Sequence, residues 1–296
     1  MKSMGIARVV ESRNPDIVTG SLVTGIPWWS EYSIDDATNV SVLNPQPGLL
    51  DTHFLGALGL PGFTVYYALT QIVKAKSTDA IVVSGAAGAV GNMVVQIAKK
   101  MIGCRKVIGI AGTDEKCRWV EKLGADICLN YKSPSFKQNL THETEGFVEI
   151  YFGELSLNLV LEMKESTLAD LLSDNVGGDI LDFMLSRLAK FGRVAASGTI
   201  SDYNRDSDTT GLKNFYPYIQ QIITMRLQIL GFINIDWIEH LPEVRALLVD
   251  EWKKGNLIIG DENEMVIDTD FEDIPRTWMM LYSGGNTGKL VTKLKH

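Results

Sequence analysis

Cysteine is scarce in this chain. Three residues, Cys104, Cys117 and Cys128, are spread over 296 positions, with no C-x-x-C pair. An odd count without metal-ligand spacing excludes a disulfide framework and a four-cysteine zinc lobe. Free thiols predict a reducing, cytoplasmic setting. Histidine is equally sparse: His53, His142, His240 and His296 have no ligand-like spacing, so no metal is expected and each is read as a surface or packing residue. Apolar runs long enough to span a bilayer are missing, and Arg8 and Glu11 interrupt the first apolar stretch, which predicts neither a membrane span nor a secretory leader. The sequons at Asn39 and Asn139 are therefore read as chance matches. Positive charge is in deficit, with a net charge of −8, which excludes a broad nucleic-acid surface but not a local cationic pocket. Low-complexity tracts and internal repeats are absent too.

Apolar content is 45%, enough for one large or two medium domains. The first part, from Ile6 to about Ile34, reads as short strands with turns: Ile6 to Glu11, a turn at Asn14-Pro15-Asp16, then Leu22 to Thr24. Leu43 to Ala75 reads as helical and loop-rich, with Leu55 to Gly62 as a hinge-like stretch. From Asp79 the texture changes. Ala80 to Gly85 is a continuous apolar run, typical of a parallel strand buried on both faces. Val90, Val94, Ile97, Ala98 and Met101 then recur at helical spacing. Lys106 to Ala111, Ile127 to Asn130, Val148 to Phe152, Gly192 to Gly198 and Gln228 to Asn234 are further strands, with helices at Asp114–Leu123, Ile180–Ala189 and Phe215–Arg226. This alternation predicts an α/β fold with a doubly wound parallel sheet. The tail reads as a strand at Met265–Ile267, a helix from Phe271 to Tyr282 and a strand from Lys289 to Leu294, packed back on the N-terminal β unit.

Ser84-Gly85-Ala86-Ala87-Gly88-Ala89-Val90-Gly91 lies between the first buried strand and its helix. Against G-x-G-x-x-G, Ala86 takes the first place and Gly88 and Gly91 follow. Gly88 allows close approach of a pyrophosphate, Gly91 allows close helix–strand packing, and the helix start offers free N–H groups. The bland alternative is a Gly/Ala turn used only for packing, but the strand–turn–helix context favours a nucleotide site. The second strand ends at Ala111-Gly112 rather than in the acid that binds a ribose in NAD-specific sites. That small tip leaves room for a 2′-phosphate, with Lys116 as its cation, and so predicts NADPH. Asp114 lies past the tip and is read as the helix cap.

By these motifs the chain resembles the zinc-independent medium-chain dehydrogenase/reductases, in particular the leukotriene B4 dehydrogenase / prostaglandin reductase / alkenal double-bond reductase group. The resemblance runs in order through Ala7–Ser12, Gly59–Thr64, Ser84–Gly91, Gly112–Lys116, Asn130–Lys132, Asp174–Gly178, Ser197–Asn204, Gly231–Asn234 and Gly285–Lys289. It implies a Rossmann domain at residues 49–261 and part of a GroES-like β-rich catalytic domain at residues 1–48 and 262–296. It further implies that Gly88, Ala89, Val90, Gly91 and Asn92 meet the pyrophosphate. Gly112, Lys116 and Tyr131 would surround the 2′-phosphate. Asn175, Ser197, Gly198, Ile200, Ser201 and Tyr203 would lie along the ribose and adenine side. Phe232, Ile233 and Asn234 would hold the carboxamide, with Asn286 reaching in from the tail. Ile26 and Trp28 would line the substrate pocket, and Thr64 and Tyr203 are the catalytic candidates as hydrogen-bond donors.

The implied reaction is NADPH-dependent reduction of the C=C bond of an α,β-unsaturated ketone or aldehyde, with a homodimer as the assembly. A quinone or carbonyl reductase, and an inactive nucleotide-binding module, stay open as alternatives. Two departures from the family pattern are expected to matter. The N-terminal barrel portion of the family is missing, which predicts unpaired strand edges. Residues 153–173 interrupt the run Tyr-Phe-Asp-Asn-Val-Gly-Gly and are read as extraneous sequence rather than as a lid.

Overall fold

The computed structural model describes residues 2–153, 178–197 and 216–295. Its centre is a six-stranded, all-parallel sheet in the order β6-β5-β4-β7-β8-β9. The strands are β4 (Ala80–Val83), β5 (Lys106–Ala111), β6 (Ile127–Asn130), β7 (Val148–Gly153), β8 (Leu188–Ala196) and β9 (Gln228–Gly231). Their continuous Val/Ile/Ala runs exist because both faces are covered: Ala80, Ile81, Val82 and Val83 are all buried. Successive strands lie on opposite sides of β4, so the order reverses between β4 and β7. The crevice at that switch point is where ligands seat in such sheets.

Helices α1 (Leu60–Tyr67), α2 (Gly91–Gln96), α3 (Asp114–Leu123) and α7 (Leu241–Lys253) lie with one core that includes Phe63, Met93, Val120 and Leu248. The α4 helix (Phe136–Glu143) and α5 (Gly178–Leu185) belong with the second, built around Leu140, Leu181 and Tyr151, and Ile222 and Met225 of α6 (Tyr216–Met225) pack against it. Both α1 and α2 continue into wider π-type turns, through Ile72 and Ile102.

Three short antiparallel strands form a separate sheet: β1 (Gly5–Arg8), β2 (Leu22–Gly25) and β3 (Ser41–Val42). Ile6 and Leu22 pack against the large core, which also takes in Leu43 and Leu49. The tail forms a parallel pair, β10 (Glu264–Thr269) with β11 (Lys289–Leu294). Between them runs α8 (Ile274–Trp278), whose Trp278 meets Trp29 edge-to-face at 5.1 Å. That contact ties the tail to the N-terminal unit.

Several local expectations are corrected. Leu55–Gly62 is not a hinge. Ala57 and Leu58 are buried, and a side chain at Gly59 or Gly62 would overlap the carbonyl oxygens of Phe54 and Ala57. Those glycines permit a tight, packed entry into α1. The N-terminal strand ends at Arg8, not at Glu11. The last strand of the large sheet stops at Gly231, and Asn234 begins a 3-10 segment. The Phe271–Tyr282 helix is instead a 3-10 turn, the five-residue α8, and another 3-10 turn. Gly153, placed in the interruption at residues 153–173, is the last residue of β7 and pairs with Ala196. The rest of that interruption lies outside the described residues.

Candidate active site

The two ends of the large sheet differ chemically. Its N-terminal edge carries charged pairs: Arg193 with Asp79 at 2.8 Å, Arg105 with Glu149 at 3.0 Å and Lys106 with Glu143 at 2.7 Å. Its C-terminal edge carries Ser84, Gly85, Gly112, Tyr131, Ser197 and Phe232, small, polar or aromatic residues. Every predicted nucleotide contact that falls on described residues lies at that second edge or on the tail beside it.

After β4 the chain turns sharply. Gly85 is the residue in the left-handed region, at φ +59°, so it rather than Ala86 makes the turn possible. The Ala86 amide donates to Ile110 of β5 (2.9 Å) and the Gly88 amide to Gly85 (2.9 Å). Gly91 lies so close under the turn that a Cβ there would overlap the Gly85 carbonyl. The amides of Ala89 and Val90 donate to no acceptor among the described residues, and both residues are partly exposed. They open at the start of α2, where the helix dipole favours an anion.

Asn92 has a different part from the direct contact expected of it. It is buried, and its amide donates to the carbonyls of Gly88 (2.7 Å) and Ala89 (3.1 Å). Its oxygen accepts from Gln96 and Asn263, each at 3.4 Å. Asn92 therefore holds the turn's shape from beneath. Sequence reading missed Asn263, which has no motif around it and reaches Asn92 only through the tail's return.

At the tip of β5, Gly112 lies against Tyr131, since a Cβ at 112 would be 3.1 Å from the ring and its hydroxyl. Thr113, not Asp114, caps α3: its side chain accepts from the Lys116 amide at 3.2 Å. Asp114 is the first helical residue and accepts from Asn130 Nδ2 at 2.7 Å. Lys116 Nζ donates to the Gly284 carbonyl at 2.7 Å, and the Lys132 ammonium lies 5.7 Å from the Tyr131 ring centre. A lysine, an aromatic hydroxyl and a glycine thus converge where no carboxylate terminates the strand.

The tail closes the turn. The Gly288 amide donates to Ala87 at 2.8 Å, and Gly88 and Gly288 form a parallel bridge. Asn286 donates to the Gly288 carbonyl at 2.8 Å, which fixes the 284–288 loop beside the turn. Across the crevice, Asn234 Nδ2 donates to Thr64 Oγ1 at 2.9 Å. Thr64's own proton goes to no acceptor among the described residues. Trp237 stacks on Tyr67 of α1 at 5.4 Å, and this holds the Asn234 segment against α1. Phe232 packs on the core beside it, while Ile233 is exposed.

The Ser197 amide donates to the Gly153 carbonyl at 3.2 Å and its hydroxyl to the same atom at 3.3 Å. Asn175, Gly198, Ile200, Ser201 and Tyr203 lie outside the described residues. Ile26 and Trp28 follow β2 and are 55% and 56% exposed, with the Lys2 ammonium 4.7 Å above the Trp28 ring. The structure thus brings Thr64 and Asn234 together, and separately Lys116, Gly112 and Tyr131. It records no contact from Ile26 or Trp28 to either group. Among the described residues no group of three His, Cys, Asp or Glu side chains is placed to hold a metal ion, and no helix is long and apolar enough to cross a membrane.

A family described as zinc-binding dehydrogenase matches residues 89–250. Prostaglandin reductase 1 of Bos taurus is 34% identical over 292 residues, covering 97% of this chain and 79% of its own length. The NADP-dependent 2-alkenal reductase of Nicotiana tabacum is 31% identical over 292 residues, covering 97% of this chain and 75% of its own. Among solved structures, CurA of Vibrio vulnificus in complex with NADPH superposes with a TM-score of 0.84 at 29% identity, over 100% of this chain and 80% of that one. With this sheet order, this turn and these relatives, the chain belongs to the zinc-independent medium-chain reductase family that includes prostaglandin reductase 1 and the NADP-dependent 2-alkenal reductase.

Proposed function

We propose that this chain reduces the C=C bond of α,β-unsaturated ketones and aldehydes, using NADPH. The observation that carries this reading is the convergence of Lys116, Tyr131 and Gly112 at a strand tip without a carboxylate, next to a turn with two undirected amides. An acid at the tip would repel a 2′-phosphate and accept ribose hydroxyls instead.

The residues present fit such a cofactor. The Ala89 and Val90 amides receive the diphosphate, with Gly88 and Gly91 allowing close approach and Asn92 fixing the turn. Lys116, whose ammonium also donates to the Gly284 carbonyl, is assigned as the cation for the 2′-phosphate beside Tyr131. Asn175 and the 197–203 segment are assigned to the ribose and adenine side. Phe232, Ile233 and Asn234 hold the carboxamide, and Asn286 reaches in from the tail loop. When bound, NADPH supplies a hydride for the β-carbon of the substrate. Thr64, fixed by Asn234, directs its proton at the substrate oxygen that gains charge, and Tyr203 is assigned the same duty. Ile26 and Trp28 form the substrate wall. A second copy pairs along the β9 edge to give a homodimer.

The test is a direct titration of NADPH and NADH by fluorescence, followed by NADPH consumption with a simple enone. We expect saturable binding that favours NADPH, and turnover. Lys116→Ala should cut the NADPH preference by about 10–100-fold, the worth of one charge-assisted contact. An unchanged ratio overturns the 2′-phosphate assignment. Binding without consumption on enones, alkenals or quinones would favour a nucleotide-binding module.

A further inference from the structure

Directly behind the nucleotide turn lies a buried polar cluster that the proposed chemistry does not use. Glu264 begins β10 and stands opposite Lys289, which begins β11. Glu264 is 9% exposed, and neither carboxylate oxygen has a hydrogen-bond partner among the described residues. The same holds for Thr52 Oγ1 and for Nε2 of the buried His53, both on the turn before α1. Gly56 follows on that turn, where a Cβ would be 2.9 Å from Glu264 Oε1 and 3.5 Å from the Lys289 Cβ. A buried carboxylate is expensive unless it is paired and hydrogen-bonded. The groups acting on it are the Lys289 ammonium, the Asp261 carboxylate and the Thr52 hydroxyl. Asp261 also faces His53.

Both members of the pair are one residue from an atom that touches the turn. Asn263, before Glu264, donates to Asn92 Oδ1 at 3.4 Å. Gly288, before Lys289, donates to Ala87 at 2.8 Å. An anion seated on the Ala89 and Val90 amides therefore binds a turn braced by the residues next to a buried carboxylate and a half-buried ammonium. A neutral Glu264 removes the repulsion and leaves the Lys289 charge to face the anion.

We propose that Glu264 takes up a proton from solvent as the cofactor's diphosphate seats on the turn, so that Lys289 becomes its half-buried counter-charge. The carboxylate gains one proton and becomes a carboxylic acid, and no other bond changes. This rests on the nucleotide reading above. Desolvation, with Asp261 in support, already pushes the Glu264 carboxyl up to about 6, so the uptake falls within reach of ordinary buffers.

The experiment is calorimetric titration of NADPH into the intact chain at pH 6, 7 and 8, in buffers of different ionisation enthalpy. The cofactor's own 2′-phosphate titrates in this range, so the decisive comparison is with Glu264→Gln on the same ligand. We expect wild type to take up more protons than Glu264→Gln near pH 6–7, and its affinity to fall about fivefold more between pH 6 and pH 8. Lys289→Met should weaken binding at every pH. His53→Gln should retain the extra uptake, which separates Glu264 from the neighbouring imidazole. Thermal melts of each variant identify a folding defect, and the neutral isostere Glu264→Gln gives the deciding data if Lys289→Met does not fold. Saturable binding with identical uptake in wild type and Glu264→Gln overturns this proposal alone. No saturable heat with NADPH at any pH overturns the nucleotide reading, and this proposal with it.

Discussion

A methyl group at position 91 would overlap the Gly85 carbonyl, so Gly91→Ala should displace the nucleotide turn. We expect a loss of about 1–3 kcal/mol of stability, the usual range for overpacking, and at least tenfold weaker NADPH binding, read by denaturant melts and fluorescence titration. Glu264 makes a signed prediction about pH. Its carboxyl lies at about 6 in the fold against an ordinary 4.5, mainly through desolvation. A raised acid favours the protonated form of the folded state. The stability linked to Glu264 is therefore fully present below pH 4.5 and falls as pH rises to 6. At about 1.4 kcal/mol per unit the loss is on the order of 2 kcal/mol. Glu264→Gln should flatten that part of the stability–pH curve, and a slope as steep as wild type would contradict it. Residue identity alone gave the turn and the lysine. It did not give Glu264, because an isolated Glu in a charged segment reads as solvent-facing, and its burial depends on where Gly56 and Lys289 come to rest.

At the scale of elements, the strands of the parallel sheet were legible wherever apolar runs were continuous. Runs such as Ala80–Val83 and Lys106–Ala111 have one physical reading, since both faces must be covered. The tail strand Lys289–Leu294 has the bounds its sequence suggested. Elements at the edges were less legible. Leu55–Gly62 looked mobile because glycine is conformationally permissive, yet its glycines serve close packing. Phe271–Tyr282 broke into short turns around Pro275, which removes a helical amide. The charged N-terminal edge of the sheet also makes a prediction. Arg193 is largely buried, pairs with Asp79 and donates to the Val73 and Lys74 carbonyls. Asp79→Ala should cost about 3 kcal/mol, since it leaves a buried guanidinium without its counter-charge, and chemical denaturation measures it. The active-site edge lies at the opposite ends of the strands, so NADPH affinity should not change.

At the scale of the whole molecule, one core joins the N-terminal unit, the α1 region and one face of the large sheet. That continuity explains how three short strands remain attached. The segments that follow β1 and β2 leave Val10, Val18, Ile26, Trp28, Tyr32 and Ile34 exposed. In the large sheet β9 is one edge strand and β6 the other, and Ile229 of β9 is 37% exposed. If the chain dimerises there, sedimentation should give twice the chain mass, and Ile229→Lys should give the monomer, because a charge on an edge strand opposes pairing. An unchanged dimer would place the interface elsewhere.

The sequence by itself determined the parallel α/β sheet, the glycine turn and the absence of an acid at the second strand's tip. These are local properties: apolar period, glycine spacing and the identity of one residue after a strand. Only the tertiary structure decided that Asn234 would fix Thr64, that Asn263 would brace Asn92 and that Glu264 would lie buried beside Lys289. Each joins elements far apart along the chain, and no local pattern records which distant backbone will close over a given side chain.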